Sequence, residues 1–525
     1  MSFNTLTSSN LHNTMQALQY ADGPVSRLSI DMLQYIFEVC RTWRVLAHRT
    51  PTLWTIITMS DKKLHEPQFL FDRVYFLRSQ QCSLTVYLDL RSITSVPYIE
   101  ELYQRLLPQL WRIRSFTVRA KDDHPILAAL YALLTQPMPR LERFEIERPR
   151  NSAWGHPGHT PLSEPLWPAL PTPIVPISVT LKSLTVCGVH LDWTRWSFAG
   201  LQELVISDLP NPIRPSIEAL STLLQTCADT LQHLELQAAA PVEEVPNGEG
   251  DVVVVPIRRQ AQARVVLPHL RTLVLGYVEP SDATTFVVNF ECPAVRALTL
   301  CDIARDLIPV AQRDAFWTDA YALLSVLLPS ACPMPSVEEL TLKGVFTSSS
   351  PMVPIQLLTS FPRLTSLTLD DSSESFIEAL ACDPRVAFPE CDPQTLPAFP
   401  AAHLQHFTAA YAPFNLIGQV FEHRTMQADG PYPVLNSLAI FDPALSAAVP
   451  PQALAGQLAM FANRVVLHAA WVPKTRPHWT AGWDRTSGPM STGYNQFASA
   501  PFVMDVVDEE AAYFDTPTSP VFVQA

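Results

Sequence analysis

The residues whose types could do chemistry are few and badly spaced for it. His156 and His159 in WGHPGHTP have no cysteine or carboxylate at ligand spacing, so they read as part of a proline-rich surface loop rather than a metal site. His403 and His406 in HLQHF flank a strand-like run three residues apart. That offset sends them to opposite faces instead of toward one ion. Paired carboxylates such as Asp370 with Asp371 and Asp508 with Glu509 are sequence neighbours in a turn and a tail, where solvation explains them. The chain has no GxxxxGK phosphate loop, no GxSxG elbow and no HExxH helix. Its nine cysteines form no CxxC pair and are odd in number, as expected of free thiols in a reducing compartment. The expectation is a protein that is not an enzyme and holds no cofactor and no metal.

Composition narrows the partners. Of 525 residues, 47% are hydrophobic and 16% charged, enough apolar material for an extended core. The net charge of −14 argues against surfaces that bind by neutralising phosphates, so neither nucleic acid nor an anionic membrane is expected. Proline is frequent at 49 and glycine scarce at 15, which leaves little material for glycine-rich cofactor loops. No run approaches the roughly 18 to 20 apolar residues of a bilayer span, and residues 1–20 lack a basic region followed by an apolar one. A cytoplasmic or nuclear location follows as an expectation.

The elements that would position any site are announced by a repeat. Leu-x-x-Leu-x-Leu hexads run from Leu141 to about residue 440: LERFEI, LKSLTV, LQELVI, LQHLEL, LRTLVL, VRALTL, VEELTL, LTSLTL, LQHFTA and LNSLAI. Their starts are about 33 residues apart on average. The fourth and sixth residues of each unit should point from a short strand into a core, with the first packing in the turn before it. Long steps leave room for helices, predicted over Ile217–Thr226, Ala315–Leu328 and Ser375–Leu380. The fold class is therefore α/β, a leucine-rich-repeat-like solenoid of strand-plus-helix units. The organisation reads as an N-terminal arm over 1–23, a helical segment over 24–60, a solenoid over 61–470 and an irregular extension with an acidic tail over 471–525. A proline-rich insertion over 148–176 and an acidic, mobile loop over 242–251 interrupt the solenoid.

If the array is right, third, fifth and seventh positions line the exposed face of the sheet, the usual binding surface of such arrays. The candidate partner face comprises Glu145, Glu203, Glu235, Thr299, Glu339, Thr341 and Thr368. It is small, β-branched and mildly acidic, suited to a basic or hydroxyl-rich partner. Threonine's preference for strands explains the same residues without any binding.

The helical segment places Leu33, Ile36, Phe37, Cys40, Trp43 and Ala47 on one stripe, ended by Pro51. Leu28 to Phe37 resembles the opening of the F-box of basidiomycete-type F-box proteins. VCRTWRVLAHRTPTLW, Val39 to Trp54, is similar to the later Val-Cys-Arg-x-Trp-Arg run of that domain. The FPRLTSLTL-type units resemble the leucine-rich repeats that follow it. What the resemblance implies is a substrate receptor: the F-box docks a Skp-type adaptor of a cullin-RING (SCF-type) ubiquitin ligase, and the repeats hold the target protein. Leu28, Leu33, Ile36, Phe37, Trp43, Leu53 and Trp54 would then make the adaptor contact, with the second run building mostly the core of the small domain. Ser29 and Ile30 replace the family's proline-containing start, and only Glu38 separates Phe37 from Val39, where the family has about 15 residues or more. That shortening leaves two alternatives, an omitted short exon or a repeat scaffold that binds protein without ligase coupling.

Overall fold

The structure, a computed structural model, describes residues 41–59, 71–93, 95–121, 123–148, 180–189, 193, 198–209, 214–241, 244–246, 252–254, 264–306, 318–328, 334–347, 352–390, 399–427, 434–441, 456–468 and 502–505. It forms two compact units, the first of Met1–Pro149 with Leu170–Leu181 and the second of Arg150–Ala169 with Lys182–Ala525.

In the first unit the helix Arg41–Arg49 ends where Pro51 opens a single turn, Pro51–Trp54. Four parallel strands follow: β1 (Ile56–Met59), β2 (Leu84–Asp89), β3 (Ile113–Arg119) and β4 (Arg143–Glu147). Helices Val96–Leu106 and Asp123–Thr135 connect them, as parallel strands require. The repeat thus starts well before Leu141. IRSFTV, with Ile113, Phe116 and Val118 all fully buried, is a complete hexad that a search for leucine passes over.

The second unit continues with β5 (Ser183–Cys187), β6 (Glu203–Ser207), β7 (His233–Gln237), β8 (Glu244–Pro246), β9 (Val252–Val254), β10 (Val265–Val266) and β11 (Thr272–Tyr277). It is completed by β12 (Phe290–Glu291), β13 (Ala297–Asp302), β14 (Glu339–Lys343), β15 (Ser366–Asp370), β16 (His406–Ala410), β17 (Ser437–Phe441), β18 (Arg464–His468) and β19 (Phe502–Asp505). The strands β5, β6, β7, β11, β13, β14, β15, β16, β17 and β18 pair in that order, all parallel, and β19 adds to β18 antiparallel. The acidic loop expected over 242–251 lies partly in a small ladder, because β8 pairs antiparallel with β9.

The hexad works as its spacing predicts. First positions Leu201, Leu231, Leu270, Val295, Val337 and Leu364 are all fully buried, and fourth and sixth positions such as Leu204, Ile206, Leu234, Leu236, Leu367 and Leu369 are at most 2% exposed. Each such leucine contributes roughly 1.5 to 3 kcal/mol. The register repeats without slippage because one carbonyl per unit accepts twice. Gln232 O takes the amides of Arg271 and Thr272, Arg271 O those of Arg296 and Ala297, and Arg296 O those of Glu338 and Glu339, all at 2.8 to 3.0 Å. Six of the units, on β5, β6, β7, β14, β15 and β16, then leave the sheet through a left-handed residue. Gly188, Asp208, Ala238, Gly344, Asp371 and Tyr411 all have φ between 48° and 65°, one residue past their strands.

Helices cover the other side. Ile217–Cys227 starts on Ser216, whose hydroxyl accepts from the Ala219 amide, and buries Leu220, Leu223, Leu224 and Cys227. Ser375–Ala379 also falls where expected. The helix predicted over Ala315–Leu328 is shorter, Tyr321–Val326 within the described residues, because Asp319 bridges to Phe346 and caps the Tyr321 amide with its own carboxylate. The proline-rich insertion and most of the C-terminal extension lie outside the described residues. No helix among those residues is long and apolar enough to cross a membrane.

Candidate partner-binding face

In the second unit the fifth positions form one row across the sheet. Thr299, Thr341, Thr368 and Thr408 are register partners on four successive strands, with Val274 before them and Ala439 after. All four threonines are half-buried. Beside them the third-position row runs Ala297, Glu339, Ser366, His406 and Ser437, with Glu339 and His406 exposed. His406 Nδ1 and the Ser437 hydroxyl are 2.8 Å apart. Short side chains on adjacent rows make a low surface edged by one carboxylate and one imidazole. Such a surface admits another chain close to the sheet.

The predicted face is not open everywhere. Glu203 is half-buried on β6, but Glu235, expected to be exposed, is only 3% so. Its carboxylate accepts from Gln237 Nε2 and lies 3.7 Å from His233 Nε2. The seventh positions also depart from the expectation. Cys187, Ser207, Gln237, Cys301 and Asp370 point to the open side by alternation yet are at most 8% exposed. The cause around β11 is local packing: Ile303 turns back over Gly276, where an added Cβ would sit 2.5 Å from Ile303 Cδ1, and joins Ala238, Cys301 and Val278 in a small apolar cluster.

In the first unit, Glu145 belongs to a charged cluster that sequence reading missed. Arg119 on β3 reaches Tyr87 OH on β2 at 2.7 Å and Glu145 Oε1 on β4 at 3.3 Å. Its Nε also lies 2.6 Å from Glu147 Oε2, an ion pair whose N–H is not aimed along the contact. Thr117 donates to Glu145, and Arg91 clamps Asp89 through two bonds of 2.8 and 2.7 Å. Burial pushes the Glu147 carboxyl up to about 7 against the pull of Arg119. The available signal was Arg119 and Glu147 as opposite charges at the seventh positions of neighbouring hexads, invisible until IRSFTV is read as one.

Of the residues assigned to adaptor contact, Leu28, Leu33, Ile36 and Phe37 lie outside the described residues. Trp43 is in the helix Arg41–Arg49, and Leu53 and Trp54 are half-buried in the turn after it. Trp54 is a pin: its indole N–H donates to Ala47 O at 2.8 Å and its ring meets Tyr75 edge-on at 6.3 Å.

Burial pushes the thiols of Cys227 and Cys292 up to about 12, which leaves them poor nucleophiles. Among the described residues no three His, Cys, Asp or Glu side chains gather as metal ligands. No protein-family model matches the chain, and no curated protein matches it either.

Proposed function

We propose that this protein is the substrate-recognition subunit of a cullin-RING ubiquitin ligase, its N-terminal segment docking a Skp-type adaptor and its strand array holding the target. The observation that carries the reading is the run from Val39 to Trp54, which resembles the later part of an F-box and leads directly into β1 of a repeat array. The arrangement suits the role. A short helical segment pinned through Trp54 can hold an adaptor at a fixed angle, while the threonine row offers the target a flat, hydroxyl-lined surface. In this reading bond-making is left to the partners.

Co-expression with a Skp-type adaptor and a cullin, followed by gel filtration, tests this. The expected result is one co-eluting complex. Elution of the chain apart from both partners refutes it.

The single residue between Phe37 and Val39 favours a second reading, a repeat scaffold that binds a protein through the same threonine face without ligase coupling. The same experiment separates the two.

A further inference from the structure

Three guanidinium groups of the first unit, those of Arg78, Arg112 and Arg140, have no carboxylate partner among the described residues. Arg112, 1% exposed, is held entirely by neutral groups: Gln109 Oε1, the Ser79 hydroxyl and the carbonyls of Phe76, Gln80 and Cys82. Arg78 lies with its Cζ 4.5 Å from the centre of the Trp54 ring. Arg140 lies 5.2 Å over the Trp111 ring and donates to Gln81 O at 3.2 Å. Burial lowers the pKa of Arg112, and the charge of Arg140 adds to that effect, so the two cations sense each other. Positive charge left uncompensated in a chain of net charge −14 is a local feature with a local use.

Apolar groups accompany it. Leu77 is 71% exposed at the helix end just before the turn that Arg112 fixes, and Trp111 and Leu107 are each 38% exposed on the neighbouring turn. Tryptophan and arginine are the residue types that most often dominate binding energy at interfaces. Stacking on an aromatic face holds a guanidinium in place while leaving its outer N–H groups for a carboxylate. Because Arg112 ties down Phe76, Ser79, Gln80 and Cys82 through four contacts, little ordering remains for a ligand to impose.

We propose that the strip formed by Arg78, Leu77, Trp111 and Arg140 docks an acidic segment of a partner protein that carries an apolar side chain. A polyanion such as RNA, or an anionic membrane, meets the repulsion of the whole chain, whereas a short acidic segment meets only the strip. The surface belongs to the first unit, whereas the threonine row belongs to the second, and the proposal does not depend on ligase coupling.

The test uses the full chain and a fluorescent peptide, Glu-Asp-Phe-Glu-Asp with blocked ends, against its Gln/Asn counterpart, a uridine decamer and phosphatidylserine vesicles. The acidic peptide is expected to bind best and to weaken several-fold between low and physiological salt. Arg78→Gln with Arg140→Gln should weaken it about tenfold. Leu77→Ser, an exposed change that leaves the fold alone, should weaken it several-fold, and Arg114→Gln, whose side chain pairs with Glu142, should not. Equal binding of the neutral peptide, indifference to the arginine and leucine changes, or preferential binding of the decamer or vesicles overturns the proposal.

Discussion

Glu147 Oε2 stands 2.6 Å from Arg119 Nε, yet Glu147 holds its proton up to a pH of about 7 because burial outweighs that attraction. The folded state therefore binds this proton more tightly than the unfolded chain, where the carboxyl has its ordinary value of 4.5. The sign follows directly: this group's contribution is most favourable below pH 4.5 and is lost as pH rises toward 7. Glu147→Gln should flatten the slope of stability against pH across that window, with a difference on the order of 3 kcal/mol between its ends. Chemical denaturation at a series of pH values measures it, and an unchanged slope would contradict the assignment.

Gly276 is needed for its lack of a side chain, since Ile303 and Gln237 occupy the space a Cβ would take. Gly276→Val should destabilise by about 1 to 3 kcal/mol through overpacking. Ile303→Ala costs stability by itself, but the double variant should lose less than the sum of the two. A double-mutant cycle reads that coupling.

Left-handed backbone after six of the strands makes a paired prediction. Gly344 has φ of 65° and Tyr411 has φ of 61°, so the same conformation is free of strain in one and strained in the other. Gly344→Ala should destabilise and Tyr411→Gly should stabilise, each by about 1 kcal/mol. Thermal unfolding shows both.

Much of this fold was legible because leucine at first, fourth and sixth positions is buried wherever the hexad occurs. The units that escaped notice hide the same geometry behind other residues. Ile113, Phe116 and Val118 fill the core positions of β3, and Ala462, Val465 and Leu467 those of β18. In β2 a register shift between Leu84 and Thr85 breaks the spacing. The left-handed exits at Ala238 and Tyr411 were unreadable because neither residue type signals them, unlike the glycines and aspartates at the other four. The face was legible only in part. Alternation puts Glu235 on the open side, but its burial depends on packing that no local pattern encodes, as does that of the seventh positions around Ile303.

Arg214 and Asp282 form a buried pair at 2.9 Å, Arg214 also donating to Leu209 O, and tie the segment before one helix to the first turn of another. Asp282→Ala should cost about 3 to 5 kcal/mol by leaving a buried guanidinium without its counter-charge. Replacing both residues by apolar ones of similar volume should restore much of that loss. Equilibrium denaturation of the single and double variants distinguishes a charge effect from a packing effect.

Adaptor binding tests the central claim most directly. Calorimetric titration of the full chain with a purified Skp-type adaptor should give a saturable one-to-one isotherm, and Ile36→Ala with Phe37→Ala should abolish it. No heat of binding from the unaltered chain, or binding that the double substitution leaves unchanged, would contradict the assignment of the N-terminal segment to the adaptor.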